Sequence, residues 1–127
     1  MTEKVVWTDF RGRKYVYDVF DFEDRWTDLP GNYIFAGRSN QGWVALFVGE
    51  TSSFKKRFAA RDSAMVRARN MGATHILAHV NMGGAKMRGL EEQALIWAYD
   101  PPCNFPQQKG TVHLPDFAAA RRRQSAL

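Results

Sequence analysis

Cysteine is nearly absent from this sequence. Cys103 is the only one in 127 residues, so no disulfide can close within the chain, and a reducing, cytoplasmic setting is expected. No apolar run approaches the ~20 residues that a membrane-crossing helix needs. The opening stretch, MTEKVVWTDF, lacks the long apolar core of a signal peptide. There is no Walker-type loop, no Ser-His-Asp pattern and no zinc-ligand spacing. His75 and His79 stand four apart on a predicted strand and so share a face, but two histidines without further ligands do not make a zinc site. Cys103, set among prolines, reads as inert, and His113 has no assigned place. Internal repeats and low-complexity segments are missing as well. These absences exclude a disulfide-stapled scaffold, a helical membrane protein and the commonest nucleotide-hydrolase and zinc-module plans.

What is present is ordinary globular material with an uneven charge. Apolar residues make up 45% and charged residues 24%, enough for one core in a chain of this length. The net charge is +5 and the isoelectric point is near 9.7. Residues 54 to 70 carry Lys55, Lys56, Arg57, Arg61, Arg67 and Arg69 against the single acid Asp62, a local charge equal to that of the whole chain. Arg121, Arg122 and Arg123 form a second cluster near the C-terminus, whereas Asp18, Asp21, Glu23, Asp24 and Asp28 make residues 18 to 28 acidic. A basic helix with a basic tail suits a polyanionic partner, and the acidic stretch is expected to face away from it. The alternative is a solvated helix face with no partner.

Periodicity and punctuation place the elements. Lys4 to Phe22 reads as a hairpin, β-branched and aromatic on both arms, turning at Arg11-Gly12-Arg13. Tyr33 to Ala36 and Trp43 to Val48 read as a second hairpin around GRSNQG. Ser52 or Ser53 caps a helix that the pattern carries to about Asn70, with Gly72 as its stop. Thr74 to Val80 reads as a further strand, and Met87 to Tyr99 as a helix ended by Pro101 and Pro102. A short helix is expected over Pro115 to Arg123. The central order β-β-α-β-α predicts a small α/β (α+β) sandwich with a three-stranded, mainly antiparallel sheet and an extra N-terminal hairpin. The chain thus divides into a hairpin extension (1–29), a central domain (30–104) and a basic tail (105–127). In ALFVGETSSFKKRF a buried strand runs through Gly49 into a capped, strongly basic helix, the order in which phosphate-binding loops are built.

Several motifs follow one another in a telling order. Gly31-Asn32-Tyr33 opens the first central strand, Phe47-Val48-Gly49 ends the second, and Arg57 lies eight residues beyond Gly49. Glu92 stands on the last helix just before Leu95-Ile96, and Pro101 and Asn104 come after it. In this, residues 30 to 104 resemble the GIY-YIG nuclease domain, with Gly31, Phe47 and Gly49 as its structural motif positions. The resemblance implies metal-dependent hydrolysis of a DNA phosphodiester. Glu92 would hold Mg²⁺ or Mn²⁺ beside the phosphate. Arg57 would clamp the phosphate with its planar fork. Tyr33 would orient or deprotonate the attacking water, its pKa lowered by Arg57, Arg61 and the metal. Asn104 would position its loop or the substrate. Lys55, Lys56, Arg67 and Arg69 would grip nucleic acid. Such a small domain would draw specificity from a homodimer or a partner domain.

The sequence departs from that family at chemically relevant places. Phe47 keeps the aromatic body of the second motif tyrosine without its hydroxyl. Asn32 replaces the motif isoleucine. Arg61, one turn beyond Arg57 and on the same helix face, stands where relatives often carry histidine or tyrosine, and Glu50 where some have lysine. Two readings therefore stay open at this point: a working endonuclease, or a nucleic-acid-binding module on the same fold with catalysis impaired.

Overall fold

The computed structural model describes residues 3–104, so the tail with Arg121 to Arg123, the helix expected over residues 115 to 123, and His113 lie outside the described residues. Five strands form one antiparallel sheet: β1 (Lys4–Thr8), β2 (Lys14–Phe20), β3 (Gly31–Ser39), β4 (Gly42–Thr51) and β5 (His75–Val80). Their spatial order is β1-β2-β5-β3-β4. The expected three-stranded sheet is corrected by this order. β4, β3 and β5 do lie side by side, but β2 pairs with β5 from Asp18↔Ala78 to Phe20↔Ile76, so the N-terminal hairpin continues the same sheet. Three helices cover it: α1 (Phe54–Phe58), α2 (Ser63–Asn70) and α3 (Ala85–Tyr99).

Alternation along the strands sorts the two faces. Tyr17, Ile34, Ala36, Leu77 and Val48 pack with Leu95, Ala98 and Tyr99 of α3, and Val5 and Trp7 of β1 join them. Tyr33, Phe35, Ile76 and Ala78 point to the opposite face, under Phe54 of α1 and Met65 and Ala68 of α2. Being roofed on both sides, β3 is buried without interruption from Gly31 to Gly37. That is why its sequence shows no polar-apolar alternation, and why its span exceeds the Tyr33 to Ala36 read from the sequence.

The helix expected to run to about Asn70 is two helices. Ser53 caps α1 as expected, its hydroxyl accepting from the amide of Lys56 at 3.2 Å. After Phe58 the chain leaves the helix, and Asp62, in extended backbone, caps α2 by accepting from the amide of Met65 at 3.0 Å. A short polar side chain that offers the backbone an alternative partner is what breaks the run. Gly72, with φ of +110°, follows the end of α2 as the stop that was expected. Past α3, Asp100 takes the left-handed conformation at φ 45° and Pro101 prevents continuation.

Candidate phosphodiesterase site at the end of β4

Tyr33 is the centre of the site, and two glycines explain how it fits. Tyr33 pairs with Gly49 across the β3–β4 ladder, and its ring lies over that glycine. A Cβ at position 49 would stand 2.4 Å from the ring carbon Cζ and 2.5 Å from the hydroxyl oxygen, so only glycine leaves the ring its place. At Gly31 a Cβ would meet the carbonyl oxygen of His79 at 2.2 Å and the Phe54 ring at 2.4 Å. Both motif glycines are thus demanded by close packing rather than by turn geometry. Phe47 stacks near Tyr33, with ring centroids 6.2 Å apart, and stays half-buried.

Arg57 reaches back from α1 and donates from Nε to the Tyr33 hydroxyl at 2.6 Å. Its Nη1 lies 3.0 Å from the Asp62 carboxylate. The five-residue α1 carries it there because the buried Phe54 fixes one side of that helix. Arg61 does not join it. The two arginines were expected to share a helix face, but α1 ends at Phe58 and Arg61 sits exposed in the break, so Asp62, not Arg61, becomes the neighbour of Arg57. Nor are the first amides of α1 open to a phosphate. Phe54 and Lys55 donate to the carbonyls of Leu29 and Thr27, at 2.9 and 3.0 Å, and Lys56 to Ser53. The strand-glycine-helix order therefore makes no phosphate cradle here.

The electrostatics of Tyr33 reverse the expected sign. Burial raises its pKa, Arg57 lowers it by charge and by hydrogen bonding, and Asp62 and Glu92 raise it again; the outcome is about 12. At neutral pH the phenol keeps its proton.

Glu92 on α3 is half-buried and carries an unusual burden. Burial first, and then the neighbouring carboxylate of Glu50, push its pKa up to about 7. The buried Arg88, one turn earlier on α3, could have relieved it, but Arg88 donates to Glu50 instead, Nε to Oε1 at 2.9 Å. Among the described residues no hydrogen bond or ion pair reaches Glu92. Its neighbour Glu91 points elsewhere: it is buried, accepts from the Tyr17 hydroxyl at 2.6 Å, and contacts His79 at 2.5 Å. No group of three or more histidine, cysteine or acidic side chains that could ligate a metal is found among the described residues. Any cation at Glu92 would therefore rest on one or two carboxylates and otherwise keep its own waters, a coordination that Mg²⁺ accepts.

Asn104 is a clamp. Its side chain accepts from the amide of Val48 at 2.9 Å and donates to the Val48 carbonyl at 2.8 Å, while the Cys103 amide donates to Leu46. Residues 103 and 104 thereby cover the open edge of β4 one residue before Gly49. The remaining basic residues divide. Lys55 and Lys56 are exposed, Arg67 is tied to the Cys103 carbonyl at 3.3 Å, and Arg69 lies over the Phe22 ring at 4.4 Å. Cys103 is buried, and burial raises its thiol pKa against the pull of Arg67, consistent with an inert thiol.

Sequence reasoning singled out Tyr33, Gly49, Arg57 and Asn104, which gather at the end of β4, and Glu92, whose charge reaches Tyr33 from α3. It noted Glu50 as a departure from the family without its role, and it missed Asp62 and Arg88. Asp62 had a signal, an acid directly before a helix-forming run; Glu50 and Arg88 meet only through the fold. No protein-family model matches the sequence, and no curated protein matches it either.

Proposed function

We propose that the chain is a metal-dependent endonuclease of the GIY-YIG type that hydrolyses DNA phosphodiester bonds, with Tyr33, Arg57 and Glu92 as its chemical core. The observation that carries this reading is Glu92: a half-buried carboxyl, flanked by Glu50, that no cation among the described residues neutralises. A desolvated carboxylate without a counter-charge is costly in a merely structural role and fits a site that takes a divalent cation. Bound there, Mg²⁺ or Mn²⁺ supplies positive charge for the phosphate oxygens during displacement. Arg57 keeps one guanidinium nitrogen, Nη2, not used by Tyr33 or Asp62, enough to donate to one phosphate oxygen. Tyr33, protonated at neutral pH, orients the attacking water through its hydroxyl. Asn104 positions, since both polar atoms of its amide are taken by Val48.

A second reading, a binding module without catalysis, is favoured by two observations. Phe47 lacks the hydroxyl of the family tyrosine, and Asp62 occupies part of the Arg57 fork. Supercoiled and branched DNA incubated with Mg²⁺ or Mn²⁺ separates the two. The nuclease reading expects metal-dependent nicking that Glu92→Ala abolishes and Tyr33→Phe slows by about 100-fold or more. Binding without cleavage of any substrate would leave the binding module.

A further inference from the structure

On the opposite flank of α3 from Glu92 lies a second concave site, one that the N-terminal hairpin makes and that Tyr33, Arg57 and Glu92 do not touch. Met87, Leu90, Ala94 and Trp97 recur at helical spacing along one side of α3 and, with the β1–β2 turn, enclose about 400 Å³. Phe10 projects from the turn against Trp97, edge to face at 6.3 Å, and both rings remain more than half exposed, at 55% and 52%. Arg11 and Arg13 stand on the same turn and line the groove. The floor is polar: the buried Glu91 carboxylate and Asn81, which donates to it at 3.2 Å.

The turn is built to hold this arrangement. The buried Asp9 carboxylate accepts from the amides of Arg11 and Arg13, at 2.8 and 3.0 Å, and from the Tyr15 hydroxyl at 3.1 Å. Gly12 supplies the positive φ of +85° that closes the turn. An ordered turn thus presents an aromatic ring and the Arg13 side chain to the groove, while the Arg11 guanidinium lies over Phe10 at 5.4 Å and pairs with Asp9 at 3.3 Å. Exposed aromatics facing a concavity favour a ring-bearing occupant, and with Arg11 paired to Asp9, Arg13 is left at the rim to meet a phosphate attached to it.

We infer that this groove takes an unpaired base of a single-stranded nucleic acid against the exposed faces of the Phe10–Trp97 pair, with Arg13, and Arg11 beside its Asp9 partner, toward the adjoining phosphates. The inference rests on the reading of the chain as one that handles nucleic acid, and it adds a second contact. Arg88 and Glu92 lie on the β4 flank of α3 and the groove on the hairpin flank, so the two sites stand roughly one helix diameter, about 10 Å, apart. A strand crossing α3 would meet both, and an unpaired or flipped nucleotide would be held near the phosphate that is cut.

Trp97 reports on this directly, because the other tryptophans, Trp7, Trp26 and Trp43, are buried or half-buried. The test titrates the whole chain, in EDTA so that no cleavage occurs, with a short oligothymidylate and with an abasic chain of the same length. Quenching of Trp97 fluorescence by the base-bearing strand alone is expected. Phe10→Ala and Trp97→Ala should each weaken that strand about tenfold and leave the abasic one unchanged. Arg13→Ala should weaken both strands alike. Equal binding of the two strands, or base-dependent binding untouched by both aromatic variants, would overturn the inference. So would a change in the oligomeric state of Trp97→Ala without any base dependence, which would show that the rings pack on a second copy. Failure of the nuclease reading looks different: cleavage of no substrate, with the base-dependent quenching intact.

Discussion

Gly49 and Glu92 show how much of this site turns on single atoms. At Gly49 a methyl group would occupy the space of the Tyr33 ring, which is rigid and held from the other side by Arg57. Gly49→Ala should therefore displace the phenol and destabilise the fold by about 1–3 kcal/mol, as overpacking of a closed site does, and urea unfolding would measure it. At Glu92 the relevant quantity is charge. Its carboxyl titrates near pH 7 in the folded chain and near 4.5 unfolded, so between those values the folded state holds the extra proton. Stability is then undiminished below about pH 4.5 and falls as the pH rises toward 7. Glu92→Gln, which cannot ionise, should melt higher than the wild type at pH 8 and nearly level with it at pH 4. Partial exposure screens the effect, which should be about 1 kcal/mol rather than the full value of the shift. Melting curves at the two pH values, without divalent metal, decide it.

At the level of elements, two local devices shape the site. The first is the break between α1 and α2. Ala59 and Ala60 favour helix, so propensity alone predicts continuation. The Asp62 cap and its pairing with Arg57 across the gap prevail, and they move Arg61 out of the site. Asp62→Asn keeps a capping oxygen but removes the charge that occupies Arg57. It should leave the melting temperature nearly unchanged and strengthen DNA binding by about threefold to tenfold, readable by anisotropy in EDTA. The second device is the strap formed by Cys103 and Asn104 on the edge of β4. Asn104→Ala removes two hydrogen bonds to Val48 and should cost about 1–3 kcal/mol, visible in chemical denaturation. It should also slow any cleavage, because the strap holds the strand that carries Gly49.

Across the whole molecule, the sequence was legible wherever one face is wet. Val5 and Trp7 alternate with exposed neighbours in β1. It was less legible where both faces are covered, as in β3. The joining of the N-terminal hairpin to β5 was not readable, because a pairing set by three residue partners at long separation leaves no periodic trace. The same holds for the site. Tyr33, Arg57 and Asn104 stood in a recognisable order, whereas the Glu50–Arg88 pairing that leaves Glu92 unneutralised is a product of packing α3 against β4. The fold also redistributes the basic charge. Arg67 and Arg69 are drawn into contacts with Cys103 and Phe22, and the exposed cations of the first helix are Lys55 and Lys56. Affinity for the proposed DNA partner should still fall steeply with salt, with a slope reflecting a few phosphate contacts rather than one for every basic residue in the segment.

The central proposal is that Glu92, which no described cation neutralises, takes a divalent cation as its counter-charge. Its most direct test is the melting temperature of the wild type and of Glu92→Gln as Mn²⁺ is titrated at pH 8. The account predicts that the wild type gains stability in proportion to the logarithm of the metal concentration once the site fills, and that Glu92→Gln gains none. Equal shifts in the two proteins, or no shift in either, would contradict it.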